Sequence, residues 1–299
     1  MNDGNLNRLS QRAAIIDIGS NSIRYMEAGF CGSRPVFSRK EMFTTRLAAG
    51  LSESGKLSER AMQSSLCVLS TLARRAENAG LSCAAYATSA VRDANNRAEF
   101  LSAVSATAHI AVQVLSGEQE AQFAYQAATG GRGGMLDIGG GSTQIVAPGF
   151  QKSFPAGCVR VHDWCGECTL SEMRTMLKPR FDELYAMPSD LPSAPWTAVG
   201  GTATTLAALS SGMSDYDPSG IQNVVLTPCA LLALLERLDT LGDAGRAAIP
   251  LLKERHDVIL SGGAILLYLM ERLSMPSLRF SDADGLEGYA VSLLWGCRA

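Results

Sequence analysis

Met135-Leu136-Asp137-Ile138-Gly139-Gly140-Gly141-Ser142-Thr143-Gln144-Ile145-Val146 reads as a strand that runs into three glycines and leaves as a second strand. Met135, Leu136 and Ile138 are apolar, so Asp137 stands where a buried strand reaches a turn. A carboxylate in such a place needs a metal or hydrogen-bond donors. Three consecutive glycines remove every Cβ from the bend, which lets backbone N–H groups converge on an anion such as phosphate. Ile16-Asp17-Ile18-Gly19-Ser20-Asn21-Ser22 is a smaller version of the pattern, 120 positions earlier. Two Asp-x-Gly turns followed by hydroxyl side chains predict two similar half-sites and a phosphate-bearing ligand held between two domains.

The chain around these turns has a repeating order. Runs 13–18, 23–30 and 36–47 are apolar and β-branched and predict a three-stranded antiparallel meander. From 58 to 78 the period becomes helical, with Ser58 as N-cap, Met62, Leu66, Leu69 and Leu72 on one face, and Gly80 as the stop. A strand at 83–88, a helix at 98–106, a strand at 110–115 and a helix at 118–129 follow. Gly130-Gly131-Arg132-Gly133-Gly134 marks the boundary, giving domains 1–128 and 129–299. The second half repeats the order. It has the glycine hairpin, a strand near 151–156, a helix over 170–185, a strand at 196–199, helices from 202 and 228, a buried run from 256, a strand at 278–280 and a closing helix from 284.

Length and composition bound the class. The 299 residues suffice for two cores, and 46% hydrophobic with 18% charged residues describes a soluble globular protein. A net charge of −3 gives no global attraction for nucleic acid or an anionic membrane, so an anionic ligand must be caught by local groups. Eight cysteines with a polar leader fit a reducing cytoplasm better than a disulfide scaffold. The apolar run 258–270, broken by Ser261-Gly262-Gly263, is too short to span a bilayer and reads as a core helix whose glycines allow close packing.

Six motifs stand in order: Ala14 to Arg24, Thr45-Arg46-Leu47, Ala87 to Ala94, Ser116-Gly117-Glu118-Gln119-Glu120-Ala121, Asp137 to Ser142, and Val199-Gly200-Gly201-Thr202. This series resembles that of the exopolyphosphatase/guanosine pentaphosphate phosphatase (Ppx/GppA) family, over nearly the whole chain. The resemblance implies an α/β fold of two ribonuclease H-like domains, as in the actin-like ATPase and sugar kinase superfamily. Mixed five-stranded sheets would flank an interdomain cleft.

It also implies roles. Asp137 matches the family's metal-coordinating carboxylate, suited to a hard cation such as Mg²⁺. Gly139, Gly140, Gly141 and Ser142 would cradle a terminal phosphate. Asp17, Gly19, Ser20, Asn21 and Ser22 would close from the other domain, and Gly200, Gly201 and Thr202 would offer a helix N-terminus. Glu120 matches the catalytic acid that takes a proton from the attacking water, whereas Glu118 reads as a helix-dipole residue. Arg92, expected in a strand-end loop, resembles a phosphate-binding arginine. Arg24 reads equally as an exposed strand position, and Arg46 as a cross-sheet ion pair.

Two departures shape the substrate. Family members commonly carry Glu where this chain has Gln144, which cannot act as a base but can orient a water. Glu120 is then the sole carboxylate base. Longer members add helical domains for long polymers, so the chain matches the short two-domain branch and short polyphosphate or phosphate-rich nucleotides. A homodimer stays among the open assemblies. The rival readings are a sensor that binds an alarmone or polyphosphate without hydrolysis, and a sugar-type kinase, for which no acceptor motif is present. Cys165-Gly166-Glu167-Cys168 with His162 is half a zinc site without a second half.

Overall fold

The computed structural model describes residues 10–32, 34–184, 191, 195–222 and 224–296. The chain divides into two compact units, one of residues up to Phe123 together with those from Gly285, the other Ala124–Asp284. The division falls inside a helix, ahead of the glycine run. That run is pinned within the second unit, since Tyr125 Oη donates to Gly133 O and Gly134 N to Pro195 O.

The first unit contains β1 (Ser10–Ile18), β2 (Ser22–Cys31), β3 (Arg34–Phe37), β4 (Glu41–Thr44), α1 (Leu51–Ser54), α2 (Glu59–Asn78), β5 (Ser82–Ala87), α3 (Ser89–Asp93), α4 (Arg97–Ala108) and β6 (Val112–Val114). Then α5 (Gly117–Thr129) leads into the second unit. The strand order is β3-β2-β1-β5-β6. β1 pairs antiparallel with β2 and parallel with β5, so the sheet is mixed. The run 36–47 is not one strand. It breaks at 38–40, and its two pieces pair with opposite ends of β2, β3 on Ala28 to Cys31 and β4 on Ser22 to Tyr25. Six strands result instead of five. Ser58 caps α2 as expected, its side chain accepting from Ala61 N at 3.2 Å.

The second unit contains β7 (Gly134–Ile138), β8 (Thr143–Ala147), β9 (Phe150–Phe154), α6 (Cys158–Cys165), α7 (Leu170–Leu184), β10 (Trp196–Val199), α8 (Gly200–Ser210), α9 (Pro218–Ile221), β11 (Val225–Leu226), α10 (Pro228–Thr240), α11 (Gly242–Ala247), α12 (Ile259–Arg272) and β12 (Leu278–Phe280). Its sheet runs β11-β12-β10-β7-β8-β9. Apart from the short sixth strands β4 and β11, both sheets read third-second-first-fourth-fifth, the ribonuclease H-like mixed α/β arrangement. The run from Ile259 is the core helix. A side chain on Gly262 would strike Thr202 of α8, and one on Gly263 would strike Leu235 of α10. The two glycines therefore serve close helix packing, as the sequence suggests. Among the described residues no helix is long and apolar enough to cross a membrane.

The closing helix α13 (Gly285–Gly296) differs from the expected assignment to the second half. Leu286, Tyr289, Ala290 and Leu294 fill the core of the first unit, against Ile15, Met26, Phe30 and Tyr86. Tyr289 Oη also donates to Gln113, and Glu287 pairs with Lys40 at 2.9 Å. Each large side chain buried there contributes about 1.5–3 kcal/mol, more than enough to hold one helix to that sheet.

Candidate active site

In the first unit the β1–β2 hairpin carries the shorter Asp-x-Gly turn. Gly19 N donates to Ser22 O at 3.1 Å, and a Cβ on Gly19 would stand 2.9 Å from that same oxygen, so no other residue fits. Ser20, Asn21 and Ser22 are buried. Asp17 lies opposite Arg24 in the sheet, and the Arg24 guanidinium donates to its carboxylate through Nη2 and through Nε at 2.9 Å. Arg24 is thus no exposed strand residue. A carboxylate offers lone pairs and no donors, so Asp17 itself cannot donate to an anion, and its described partner is the Arg24 guanidinium.

The same unit positions Glu120. After β5 the chain forms the single helical turn α3, where a loop is expected, closed by Arg92 N donating to Thr88 O at 2.9 Å. Ser89 at its start pairs with Ser20 through their hydroxyls at 3.0 Å. Arg92 at its end donates to Leu115 O at 3.0 Å and approaches Glu120 at 3.4 Å and Asp93 at 3.5 Å. Glu120 sits in the first turn of α5 with its side chain 14% exposed. Glu118 is exposed and takes a hydrogen bond from Ser116 Oγ, a surface helix-start contact. Ser20, Ser89, Arg92 and Glu120 therefore form one connected set.

The second unit repeats the turn residue for residue. Gly139 N donates to Ser142 O at 3.0 Å, and Asp137 lies opposite Gln144 as Asp17 lies opposite Arg24. The carbonyls of Gly139 and Gly140 accept from Cys158 N at 2.9 Å and Val159 N at 2.8 Å, while Gly141 O accepts from Arg160 Nε at 3.0 Å. No peptide bond among the described residues is cis. In a trans peptide the N–H points opposite to the C=O, so the amides of Gly140 and Gly141 point away from α6, as an anion cradle requires. Gly157 makes this backing possible, because a Cβ there would lie 2.5 Å from Gly140 C and Ser142 N.

Asp137 is half-buried and abuts the next junction. Gly200 has φ +84°, and a Cβ on it would stand 2.6 Å from Asp137 Oδ1. Thr202 is buried beneath, and Gly201 is covered by the guanidinium of Arg255. Arg255, only 9% exposed, is a cation that sequence reading passes over, because a charged run before a helix ordinarily reads as a solvated face. Burial pushes the Cys158 thiol up, against the opposing pull of Arg255. Gln144 is fully buried, its Nε2 donating to Ser142 Oγ at 2.8 Å and Ser153 Oγ at 3.4 Å. Its Oε1 makes no hydrogen bond to the described residues.

The donor set at Asp137 suits a hard cation. Among the described residues no group of three or more His, Cys, Asp or Glu side chains converges, so a metal at Asp137 would rest on one carboxylate with water and ligand oxygens. That is how Mg²⁺ is usually held, with several waters and few protein ligands.

The chain is similar to known proteins over most of its length. Residues 28–295 match the model of the Ppx/GppA phosphatase family. The chain is 32% identical to exopolyphosphatase 2 of Mycobacterium tuberculosis over 319 residues, covering 94% of this chain and 98% of the relative. Its structure is similar to that of an exopolyphosphatase from Cytophaga hutchinsonii (TM-score 0.87, 22% identity, 96% of this chain and 98% of the other). It is also similar to the Ppx/GppA family member of Aquifex aeolicus (TM-score 0.76, 27% identity, 97% and 99%).

Proposed function

The chain belongs to the Ppx/GppA phosphatase family, and from that premise we propose that it removes the terminal phosphate of inorganic polyphosphate, short chains favoured, or of a guanosine pentaphosphate-like nucleotide. It is a hydrolase acting on phosphoanhydride bonds. The observation that best supports the substrate class is the glycine turn whose carbonyls are all occupied by α6 and Arg160, which turns its amides away from α6, where an anion could meet them.

In this reading the amides of Gly140 and Gly141, the Ser142 hydroxyl and the N-terminus of α8 at Gly200, Gly201 and Thr202 hold phosphoryl oxygens. In the first unit Ser20, Asn21, Ser22 and Arg92 would bind phosphoryl oxygens, and Asp17 and Gly19 shape that turn. Glu120 accepts a proton from water as the water oxygen bonds to the terminal phosphorus. The bridging P–O bond breaks, and the shortened chain leaves with the bridging oxygen. Arg92, 3.4 Å from Glu120, would set a guanidinium for phosphoryl oxygens beside the base. Gln144 fixes the Ser142 hydroxyl, and its remaining carbonyl oxygen can accept from a water. Asp137, with oxygens of substrate and water, would hold Mg²⁺, which neutralises phosphoryl charge when bound.

Phosphate release from short polyphosphate with Mg²⁺ tests the reading. Glu120→Gln should lower the rate by about 10²- to 10⁴-fold, and equal rates would remove Glu120 from its role. The neutral, buried Gln144 favours a second reading, a sensor. Tight binding of guanosine tetraphosphate in calorimetry without any turnover would decide for it.

A further inference from the structure

Gly166-Glu167-Cys168-Thr169 joins α6 to α7, and both helix ends are fixed. Gly166 N donates to His162 O at 2.9 Å and closes α6. Thr169 caps α7, its Oγ1 accepting from Glu172 N at 3.3 Å while its own N donates to Glu172 Oε2 at 2.9 Å. Between these two anchors Gly166 takes φ +61° and ψ −150°, a region essentially confined to glycine. The bend brings Cys168 back to the last residue of α6, and the Cys165 thiol donates a hydrogen bond to the Cys168 thiol. Both cysteines are free, half-buried and packed against the core of the second unit, as is Trp164.

The pair is not part of a metal centre, since among the described residues no group of three or more His, Cys, Asp or Glu side chains converges. Two touching thiols at Cys-x-x-Cys spacing are left with thiol–disulfide chemistry. Their surroundings favour the protonated forms. Burial and then the neighbouring Cys168 push the Cys165 thiol up to about 12, and burial also raises Cys168, against the hydrogen bond from Cys165. Glu172 and Asp239 add to the rise at Cys168, and Arg180, stacked on Trp164 at 3.6 Å, opposes the rise at Cys165. No stabilised thiolate holds the pair reduced, the feature that makes some Cys-x-x-Cys disulfides strong oxidants.

We propose that Cys165 and Cys168 are a reversible modification site, a dithiol that oxidised glutathione converts to an intrachain disulfide joining the end of α6 to the start of α7. The Cys168 sulfur loses its proton and bonds to one sulfur of the oxidised glutathione; the other glutathione sulfur leaves and takes up that proton. Cys165, already in contact, then loses its proton and bonds to the Cys168 sulfur, and the second glutathione leaves as a thiol. The two cysteines are oxidised by two electrons and the glutathione disulfide is reduced by two. The amides of Cys158 and Val159 at the other end of α6 hold the carbonyls of Gly139 and Gly140. The cross-link therefore braces the helix that backs the glycine turn.

Trypsin places both cysteines on one peptide, residues 161–174, which contains no other cysteine. The folded full chain is incubated with oxidised glutathione at about pH 8, alkylated, and read by peptide mass spectrometry. The wild-type peptide should be lighter by two hydrogens and resist alkylation, and dithiothreitol should restore both thiols. In Cys165→Ser a glutathione should remain on Cys168. A Cβ on Gly166 would meet nothing within 4 Å, so Gly166→Ala changes only the backbone preference. It should slow closure of the mixed disulfide about tenfold, as expected for strain at that φ and ψ. Closure should raise Tm by about 4–8 °C relative to the doubly substituted Cys165→Ser, Cys168→Ser chain treated alike. A wild-type peptide that keeps two alkylatable thiols, or holds glutathione on Cys168 without closing, overturns the assignment. Gly166→Ala closing at the wild-type rate overturns the role of the bend, and an unchanged or lowered Tm overturns the brace.

Discussion

Replacing Gly200 by alanine should unseat Asp137, and the structure supplies its own control. Gly200 (φ +84°) and Gly149 (φ +77°) are both left-handed glycines of the second unit, but a Cβ at Gly149 meets nothing within 4 Å. Gly149→Ala therefore carries conformational strain alone, about 1–2 kcal/mol. At Gly200 the new methyl would lie 2.6 Å from Asp137 Oδ1 and 3.1 Å from Ile138 O. Overpacking of that kind adds about 1–3 kcal/mol to the strain, for a total of roughly 2–5 kcal/mol. In a unit of this size each kcal/mol lowers Tm by about 2–4 °C, so calorimetry should resolve the two variants. To restore the 3.4 Å of ordinary contact the carboxylate must retreat by about 0.8 Å. A displacement near 1 Å costs on the order of 10²-fold in rate, so phosphate release should collapse in Gly200→Ala and persist in Gly149→Ala. Equal Tm shifts, or a Gly200→Ala variant with the wild-type rate below its Tm, would refute the placement of Asp137 against this turn.

Leu286→Ala should destabilise the first unit by about 2–5 kcal/mol, since Leu286 is fully buried in that core. Hydrogen exchange should then quicken in β1 and β2 and stay unchanged in β7 and β10; the reverse pattern would contradict the assignment of α13. Alkylation by iodoacetamide at pH 8 should modify the exposed Cys31, Cys67 and Cys229 and spare Cys83, Cys158 and Cys165. Burial pushes the Cys83 thiol up to about 11 and the Cys165 thiol up to about 12, so neither supplies thiolate at that pH. Peptide mass spectrometry reads the outcome, and fast labelling of Cys158 would contradict the tight backing of the glycine turn.

What the sequence makes legible is whatever a local pattern forces. The two Asp-x-Gly turns are readable because a residue with a Cβ at Gly19 would collide with Ser22 O. The face of α2 is readable because Met62, Leu69 and Leu72 recur at helical spacing. By contrast α6 escapes, being short and introduced by Gly157 with no side-chain cap, although it anchors the carbonyls of Gly139 and Gly140. The pairing of β3 and β4 with opposite ends of β2 depends on a break at 38–40 that neither glycine nor proline announces. Arg255 and the α13 core contacts are invisible for another reason: each is made with residues far away in sequence, and composition near Arg255 reads as solvent-facing. Asp17 and Asp137 look alike in the sequence and differ in the fold through their cross-strand neighbours, Arg24 and Gln144.

The return of α13 to the first core sets a timetable for synthesis. The second unit is one continuous stretch, so it can fold as soon as its last residue has left the ribosome, whereas the first unit lacks part of its core until residues 286–294 emerge. Until then Ile15, Met26, Phe30 and Tyr86 present an uncovered apolar face. A nascent chain whose residues up to 284 have cleared the exit tunnel, with α13 still inside, would hold a folded second unit beside an unfinished first one. That nascent species is the form on which a chaperone would have most to bind.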